Sequence, residues 1–267
     1  MDINRKSAPN NLNLSACDVL CLVGWLPSAA MEVIAVTGLP RIAAGDDLAE
    51  IILRLAPLHN GDVLVVASKV LSLSQGRLVD LDQVEASEQA MALAAETGKD
   101  PRLVELILEE SLAISRAAPG VLVVRHRLGH ICANAGVDQS NASGRIALLP
   151  VDPDGWAAEV RNRAEADIGV VVSDTVGRPF RRGAVGTAIG VAGVPAIVDL
   201  RGRRDLDQRV IEHSEQPVAD ILAAAADLVM GQADEGVPAA VIRGVSWSPT
   251  SSSAADLQRD PDLDLYA

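Results

Sequence analysis

The chain has 267 residues, of which 49% are hydrophobic and 22% charged, a composition that excludes wholesale disorder and fibrous classes and fits one large domain or two small ones. Its 23 basic and 36 acidic residues give a formal net charge of −13, so the field of the whole molecule would repel a nucleic-acid backbone or an anionic membrane surface. Aromatic residues make up only 2% of the chain, which leaves few platforms for stacking bases. Neither nucleic acid nor a membrane is therefore an expected partner.

The first thirty residues differ in character from the rest of the chain. Residues 1–16 are polar, and residues 19–27 form an apolar run that is too short to span a membrane. Two interpretations stay open: a secretory signal peptide, whose order of regions this stretch imitates, and an extension before a folded domain that starts at Met31, which we favour. Three cysteines are too few for a disulfide framework in a chain of this length, so we expect a reduced, cytoplasmic protein.

Strand and helix patterns alternate from Met31 onward. Short runs rich in Val and Ile predict strands, and apolar residues spaced three to four apart predict helices. In chain order, these patterns predict a strand over 32–36, a helix over 46–55, a strand over 62–67, helices over 87–97 and 102–115, a hairpin over 121–125 and 130–133, a helix over 157–166, strands over 168–173 and 196–200, a helix over 217–230 and a strand over 239–243.

These elements predict an α+β fold with mixed β-sheets and packed helices, because helices and strands are interleaved while several strands pair as hairpins. The expected organisation is an N-terminal extension over 1–30, one domain over 31–247 and a polar, acidic tail over 248–267 that is poorly ordered. The sequence has no P-loop motif, and no G-x-G-x-x-G opens a helix after the first strand. The glycine-rich run GTAIGVAG at 186–193 fits small-residue helix packing as well as a phosphate cradle.

Polar residues follow several of the buried runs, where catalytic side chains commonly lie. Ser68 and Lys69 place a hydroxyl and an ammonium at the end of the predicted strand over 62–67. The small, polar loop over 133–141 contains Asp138 and two asparagines, which are oxygen ligands of the kind that Mg²⁺ and Mn²⁺ prefer.

Two further segments carry charged and polar side chains. Asp174 and Thr175 follow the predicted strand over 168–173, where, taken by itself, an Asp-Thr pair is better explained by helix capping than by a functional role. The loop over 230–236 holds two acids and an amide between glycines. Guanidinium groups suit carboxylate or phosphate recognition, and a cluster of three arginines follows Thr175 in a chain with a large negative charge: Arg178, Arg181 and Arg182.

Five segments taken together resemble a known family. They are VTGLP at 36–40, ASKVLSLSQGR at 67–77, ANAGVDQSN at 133–141, SDTVGRPFRRGAVGTAIGVAG at 173–193 and MGQADEG at 230–236. In this order they resemble the coenzyme F420-0:L-glutamate ligase family, the γ-glutamyl ligases of F420 biosynthesis, and the resemblance extends from about Met31 to Trp247.

The resemblance implies an amide-forming, GTP-dependent ligase with an α+β fold of its own, neither a P-loop nor an ATP-grasp fold. It implies a homodimer that acts on F420-0, L-glutamate and GTP. It also implies two divalent cations per site, Mg²⁺ or Mn²⁺, with K⁺ as a further candidate ion.

Residue roles follow from the same resemblance. Asp138 and Asp174 would hold one cation, and Thr175 with Gln232 would contribute to the other. Lys69, Asp138 and Asp174 would be the catalytic residues. The residues implied to line GTP are Leu39, Pro40, Arg41, Ile42, Ser68, Lys69, Asn141, Met230, Gly231, Gln232, Ala233, Asp234 and Glu235. On charge grounds, the three arginines of the cluster are our candidates for binding the phosphodiester and carboxylate of the deazaflavin substrate.

The chemistry of amide formation agrees with this interpretation. A carboxylate is a poor electrophile at neutral pH, so phosphorylation by a nucleoside triphosphate is needed to turn one oxygen into a leaving group, and cations are needed because all the reacting groups are anionic. Two alternatives stay open: a non-catalytic module that binds a nucleotide or deazaflavin, and a metal-dependent phosphohydrolase that uses the same acids. A requirement for glutamate in GTP turnover would separate ligase from hydrolase.

Overall fold

A five-stranded sheet forms the centre of the molecule in the computed structural model, which describes residues 25–139, 144–248 and 250–263. The third and fourth strands across the sheet are parallel to each other, and the other neighbours are antiparallel. In spatial order the strands are β1 (Trp25–Ala35), β12 (Ala239–Trp247), β2 (Val63–Ala67), β8 (Gly169–Gly177) and β9 (Ala184–Ala192).

The remaining strands of the described residues form three smaller sheets. The pair β3 (Leu78–Val79) and β7 (Ile146–Ala147) is antiparallel, as is the pair β10 (Val198–Asp199) and β11 (Glu215–Gln216). The third sheet is antiparallel, in the order β4 (Ser111–Ala118), β5 (Val121–His126) and β6 (Ile131–Ala133).

The described residues also form six α-helices, so the predicted α+β fold class is confirmed. None of these helices has the length and apolar character needed to cross a membrane. The helices are α1 (Leu48–Leu55), α2 (Ser68–Ser74), α3 (Glu88–Thr97), α4 (Pro101–Glu109), α5 (Pro153–Arg163) and α6 (Val218–Met230).

Both faces of the central sheet are buried under helices. Leu64 and Val66 of β2 point to the face covered by α1 and α5, whereas Val63 and Val65 point to the face covered by α6. Because neither face meets water, the strand has no polar alternation, which explains the continuous apolar run over 62–67 in the sequence.

A second, smaller core lies beside the central sheet. Helices α3 and α4 pack on the sheet of β4, β5 and β6, with Ala90, Val104, Ile107, Leu122 and Val124 fully buried between them. An ion pair between Arg77 and Glu110 joins the two units.

The N-terminal boundary of the domain differs from the prediction. Strand β1 begins at Trp25, six residues before Met31, and the backbone of Trp25 pairs with that of Trp247 in β12. Part of the extension predicted over 1–30 therefore belongs to the sheet. The rest of that extension, residues 1–24, lies outside the described residues.

The C-terminal tail is also more ordered than we expected from its polar sequence. Ala254 is buried, and its N–H group donates a hydrogen bond of 3.0 Å to the Asp154 carboxylate in α5. The Ser252 hydroxyl accepts a hydrogen bond of 3.1 Å from the Ala196 N–H group. The expectation of poor order is therefore wrong for this segment, because it packs against the central unit.

The helix predicted over 102–115 is too long. Helix α4 ends at Glu109, and the chain continues as β4, whose backbone bonds to β5. Pairing with a neighbouring strand overrides the local helical spacing here. The glycine-rich run over 186–193 lies mostly in strand β9.

Candidate functional site

The parallel strands β2 and β8 end at the same edge of the central sheet, where their polar residues meet. Ala67 pairs with Ser173 in the register of these strands, so the next residues, Ser68 and Asp174, are neighbours. The Ser68 hydroxyl donates a hydrogen bond of 2.7 Å to Oδ1 of Asp174. The sequence placed these two residues 106 positions apart, and the parallel pairing brings them into contact.

Lys69 and Asp138 form an ion pair beside this contact. Lys69 lies in the first turn of α2, and its side chain is 28% exposed, against 39% for Asp138. The Asp138 backbone is fixed by two hydrogen bonds with Ala147, its N–H donating at 2.9 Å and its carbonyl accepting at 2.8 Å. The lysine and one predicted metal ligand therefore face each other at the edge of a buried region.

A left-handed turn leads the chain from β6 to Asp138. The φ values of this turn are 54° at Asn134, 53° at Ala135 and 66° at Gly136. Residues other than glycine adopt this left-handed backbone conformation at a free-energy cost of about 1 kcal/mol or more. A Cβ atom on Gly136 would lie 2.6 Å from Cδ1 of Leu149, so only glycine fits there. The Asn134 Oδ1 atom is buried and makes no hydrogen bond to the described residues.

Burial and neighbouring groups shift the pKa values of Asp174 and of the nearby Cys132. Burial raises the pKa of Asp174 above its ordinary value, and the Asp138 carboxylate adds to the rise, whereas hydrogen bonds from Ser68 and the Thr175 N–H group, together with Lys69, oppose it. Burial, with Asp174 nearby, also raises the pKa of the Cys132 thiol to about 12. Cys132 is therefore a neutral neighbour of the carboxylate at physiological pH.

Thr175 and Gln232, the other two predicted metal ligands, are connected through a residue that the sequence did not single out. Thr175 pairs with Gly186 across β8 and β9. The Gly186 N–H group donates to Oδ2 of Asp227 at 2.5 Å, and Nε2 of Gln232 donates to the same oxygen at 3.1 Å. Asp227 in the last turns of α6 thus ties the Gln232 loop to the strand that carries Thr175.

The predicted nucleotide loops reach the same edge of the sheet. The Val36 N–H group bonds to Ala239 O, and the Ala67 N–H group bonds to Pro238 O, both at 2.9 Å. The segment 39–42 after β1 and the loop 230–235 before β12 therefore both lie near the end of β2. Within them, Leu39 and Ile42 pack on the core, whereas the predicted nucleotide residues that are exposed are Pro40, Arg41, Gln232, Ala233, Asp234 and Glu235. Asn141, also assigned to the nucleotide, lies outside the described residues.

The three arginines of the cluster lie in the connection between β8 and β9 and have different surroundings. The Arg178 guanidinium donates to the carbonyl oxygen of Arg182 at 3.1 Å and approaches that of Gly183 at 3.5 Å, so it closes the loop on itself. All three arginines are exposed. The geometry suits Arg181 and Arg182 better than Arg178 to a role in binding an anion.

The comparison with known families agrees with the resemblance in the motifs. Residues 38–244 match the sequence model of the F420-0:Gamma-glutamyl ligase family. The chain belongs to this family. The match spans β2 and β8 with all the site residues named above, so the site lies wholly inside the region that defines the family.

Several curated relatives are similar over most of their length. A coenzyme F420:L-glutamate ligase of Methanopyrus kandleri is 48% identical over 228 residues, which cover 84% of this chain and 90% of the relative. The protein of the same name from Methanothermobacter thermautotrophicus is 45% identical over 88% of this chain and 98% of its own length. That from Halorubrum lacusprofundi is 49% identical over 80% and 87%, respectively.

The donor types at this site of the γ-glutamyl ligase family member are those that hard divalent cations prefer. No group of three or more His, Cys, Asp or Glu side chains that could enclose a metal ion is found among the described residues. Mg²⁺ is usually held by one or two carboxylates, with substrate phosphates and water completing its shell. Asp138 and Asp174 supply two carboxylates, and Thr175 and Gln232 supply a hydroxyl and an amide oxygen.

Asp227 is the residue of this site that sequence reasoning missed. It lies near the C-terminal end of α6, where the helix dipole disfavours a negative charge. A carboxylate at this unfavourable position was the sequence feature that could have indicated a role for Asp227. Its partners, Gly186 and Gln232, follow only from the packing of α6 on β9.

Proposed function

We propose that this protein joins the amino group of L-glutamate to the carboxylate of F420-0 in an amide bond, with GTP as the phosphoryl donor. The observation that carries the proposal is the cluster of Ser68, Lys69, Asp138 and Asp174 at the sheet edge where two exposed loops converge. The family membership and the names of the relatives support the two substrates.

The proposed reaction has two chemical steps. An oxygen of the acceptor carboxylate attacks the γ-phosphorus of GTP, and the bond from phosphorus to the bridging oxygen breaks to release GDP. The glutamate amine then attacks the carbonyl carbon of the acyl phosphate, loses a proton and expels inorganic phosphate. The amide that remains joins the acceptor to the first glutamate, and a γ-linked chain would follow from later additions.

The side chains of this protein contribute mainly by binding charge and by positioning. The Lys69 ammonium, oriented by Asp138, would stabilise the charge that spreads over the transferring phosphoryl group. Arg181 and Arg182 would bind the anionic groups of the acceptor. The loop Gly231–Gly236 would close over the nucleotide, so that the acyl phosphate is kept from water until the amine arrives.

Two cations, Mg²⁺ or Mn²⁺, would neutralise the charge on the phosphates and the acceptor carboxylate. Asp138 and Asp174 would hold one of them, and Thr175 with the carbonyl oxygen of Gln232 would contribute to the other. The Gln232 amide suits this role if its nitrogen stays bonded to Asp227, because its oxygen then faces away from that carboxylate.

Homodimeric assembly, a cytoplasmic location and a contribution from K⁺ stay predictions supported by the resemblance in the motifs. Light scattering on the eluting protein tests the dimer. Activity with K⁺ replaced by Na⁺ tests the monovalent ion.

Phosphate release distinguishes a ligase from a hydrolase. With GTP and Mn²⁺ alone, release should be slow, and it should rise strongly only when F420-0 and glutamate are both present, with a product heavier by one glutamyl residue in the mass spectrum. Equally fast release without either co-substrate would show a phosphohydrolase. Binding of GTP and F420-0 without any turnover would show a non-catalytic module.

A further inference from the structure

Two aspartates of α6 bond to the outer edge of the central sheet. Strand β9 is the last strand of that sheet, so N–H groups on its outer side have no neighbouring strand to bond to. The Gly186 N–H group donates to Oδ2 of Asp227 at 2.5 Å. The Ala188 N–H group donates to Oδ1 of Asp220 at 2.9 Å. Both carboxylates therefore serve the fold in the same way, by satisfying a backbone donor of the edge strand.

Asp227 also bonds to the loop that follows α6. Its Oδ2 atom accepts a hydrogen bond of 3.1 Å from Nε2 of Gln232. Gly186 makes room for the carboxylate, because a Cβ atom there would lie 2.8 Å from Oδ1 and 2.9 Å from Oδ2 of Asp227. Gly186 pairs with Thr175 in β8. One carboxylate thus connects Gln232 to the strand pair that carries Thr175.

This contact determines which end of the Gln232 amide faces Asp227. A carboxylate accepts hydrogen bonds and donates none, whereas a primary amide carries both an NH₂ donor and a carbonyl acceptor. The amide nitrogen must therefore face Asp227, and the carbonyl oxygen lies on the opposite side of the amide group. The terminal torsion of a glutamine side chain is otherwise broad and roughly two-fold, so an amide without this partner would present nitrogen about as readily as oxygen.

We propose that Asp227 is a positioning residue that fixes the carbonyl oxygen of Gln232 in the orientation needed to bind a divalent cation. Groups behind a metal ligand orient it, and their loss typically weakens metal binding by about 10- to 100-fold. The inference rests on the proposed function in one respect, since it takes Thr175 and Gln232 as ligands of one cation. Asp227 also favours a neutral ligand at position 232, because it would repel a carboxylate there.

The matched pair of variants is Asp227→Ala and Asp220→Ala. Each removes the carboxylate from one N–H group of β9, and of the two aspartates Asp227 is the one that also bonds to Gln232. Mn²⁺ binding is measured by electron paramagnetic resonance, with a non-hydrolysable GTP analogue present and without acceptor or glutamate. Asp227→Ala should raise the dissociation constant of one bound Mn²⁺ by about 10- to 100-fold, whereas Asp220→Ala should leave it unchanged.

A Gln232→Glu background separates orientation from a general structural effect. A carboxylate presents an oxygen in either orientation, so Asp227→Ala should not weaken Mn²⁺ binding in this background and should strengthen it by removing a like charge. If Asp227→Ala does not fold, Asp227→Asn takes its place. Its amide keeps an oxygen for the Gly186 N–H group and lets Gln232 bond in either orientation, so a loss of Mn²⁺ affinity should again occur only with glutamine at position 232.

Three results would overturn the inference: an equal loss of Mn²⁺ affinity in both backgrounds, an equal loss in Asp220→Ala, and unchanged affinity in Asp227→Ala. Absence of Mn²⁺ binding by wild type would overturn it as well. None of these measurements requires turnover. If wild type forms no glutamylated product while the variants show the expected pattern of Mn²⁺ binding, the proposed function is refuted and the role of Asp227 stands.

Discussion

Asp174 is a candidate functional residue whose ionised carboxylate should lower the stability of the fold. Its carboxyl group is partly buried beside a second carboxylate, and both conditions raise its pKa. A group whose pKa is higher in the folded state favours folding while it is protonated, and its contribution is lost as the pH rises through that folded pKa. At neutral pH, therefore, the ionised Asp174 opposes folding unless a cation compensates it, which is a common property of functional carboxylates.

Replacement of this carboxylate should separate activity from stability. We expect Asp174→Asn to lower turnover by at least about 10²-fold, the scale of one lost electrostatic contact to the transition state, while the thermal midpoint stays the same or rises. Product formation followed by mass spectrometry and thermal unfolding measure the two effects. Asp82→Asn, at an aspartate that is 88% exposed, is the control for both. Near-normal turnover by Asp174→Asn would contradict the assignment.

At the scale of elements, the glycines of β9 decide how closely the helices approach the central sheet. A Cβ atom on Gly186 would lie 2.8 Å from the Ala223 carbonyl oxygen of α6, and one on Gly190 would lie 2.6 Å from the backbone carbonyl carbon of Pro153 in α5. Backbone atoms at such distances cannot move aside as a flexible side chain can. The glycine-rich run therefore serves packing on both faces of an edge strand.

Gly190 gives the clearest test of this packing. We expect Gly190→Ala to lower the free energy of unfolding by about 1–3 kcal/mol, the cost typical of overpacking in a tight core. Gly177→Ala is the matched control, since a Cβ atom there meets nothing within 4 Å and the backbone needs no positive φ, and it should change the free energy of unfolding by less than about 0.5 kcal/mol. Urea unfolding measures both, and equal values for the two variants would contradict the packing argument.

At the scale of the whole molecule, a buried polar cluster joins the central sheet to the smaller unit. Arg77 donates to the Glu110 carboxylate at 2.6 Å and to the Leu149 carbonyl oxygen at 3.0 Å. Although burial opposes the shift, the nearby His126 ring, whose Nε2 atom lies 3.5 Å from the carboxylate, and the hydrogen-bonded Arg77 guanidinium hold the pKa of Glu110 below its ordinary value. The His126 ring stacks on His130, with 5.2 Å between the ring centres.

This cluster should make stability depend on pH. Burial lowers the pKa of His130 from 6.5 to about 4, and His126 adds to the shift. Between these two values the unfolded chain binds a proton at His130 and the folded protein does not, so the free energy of unfolding falls as the pH decreases from 6.5 towards 4. Each unit of such a shift corresponds to about 1.4 kcal/mol.

Urea unfolding at pH 7.5 and pH 5 measures this dependence. His130→Phe, which keeps a ring at the position, should reduce the loss of stability between the two pH values. His213→Asn, at a histidine whose side chain is 92% exposed, should leave the loss unchanged. A wild-type pH dependence in His130→Phe would show that other groups are responsible.

The amino-acid sequence by itself determined the elements whose signals are local. The continuous apolar runs of β2 and β8 mark strands that are covered on both faces. The side chains of Asp47 before α1 and Ser87 before α3 cap these helices by accepting backbone hydrogen bonds. The motifs also singled out Ser68, Lys69, Asp138 and Asp174, because polar side chains in the segments that follow buried runs lie where catalytic groups are commonly found.

Tertiary structure decided what depends on contacts between distant residues. Strand β4 exists because β5 pairs with it, against its own helical spacing, and strand β9 is glycine-rich because α5 and α6 pack close to it. Asp227 enters the site through the same packing, and the pairing of Lys69 with Asp138 depends on how the left-handed turn over 134–136 directs the chain. A sequence pattern reports the environment of one element, whereas these features are set by the free energy of packing several elements together.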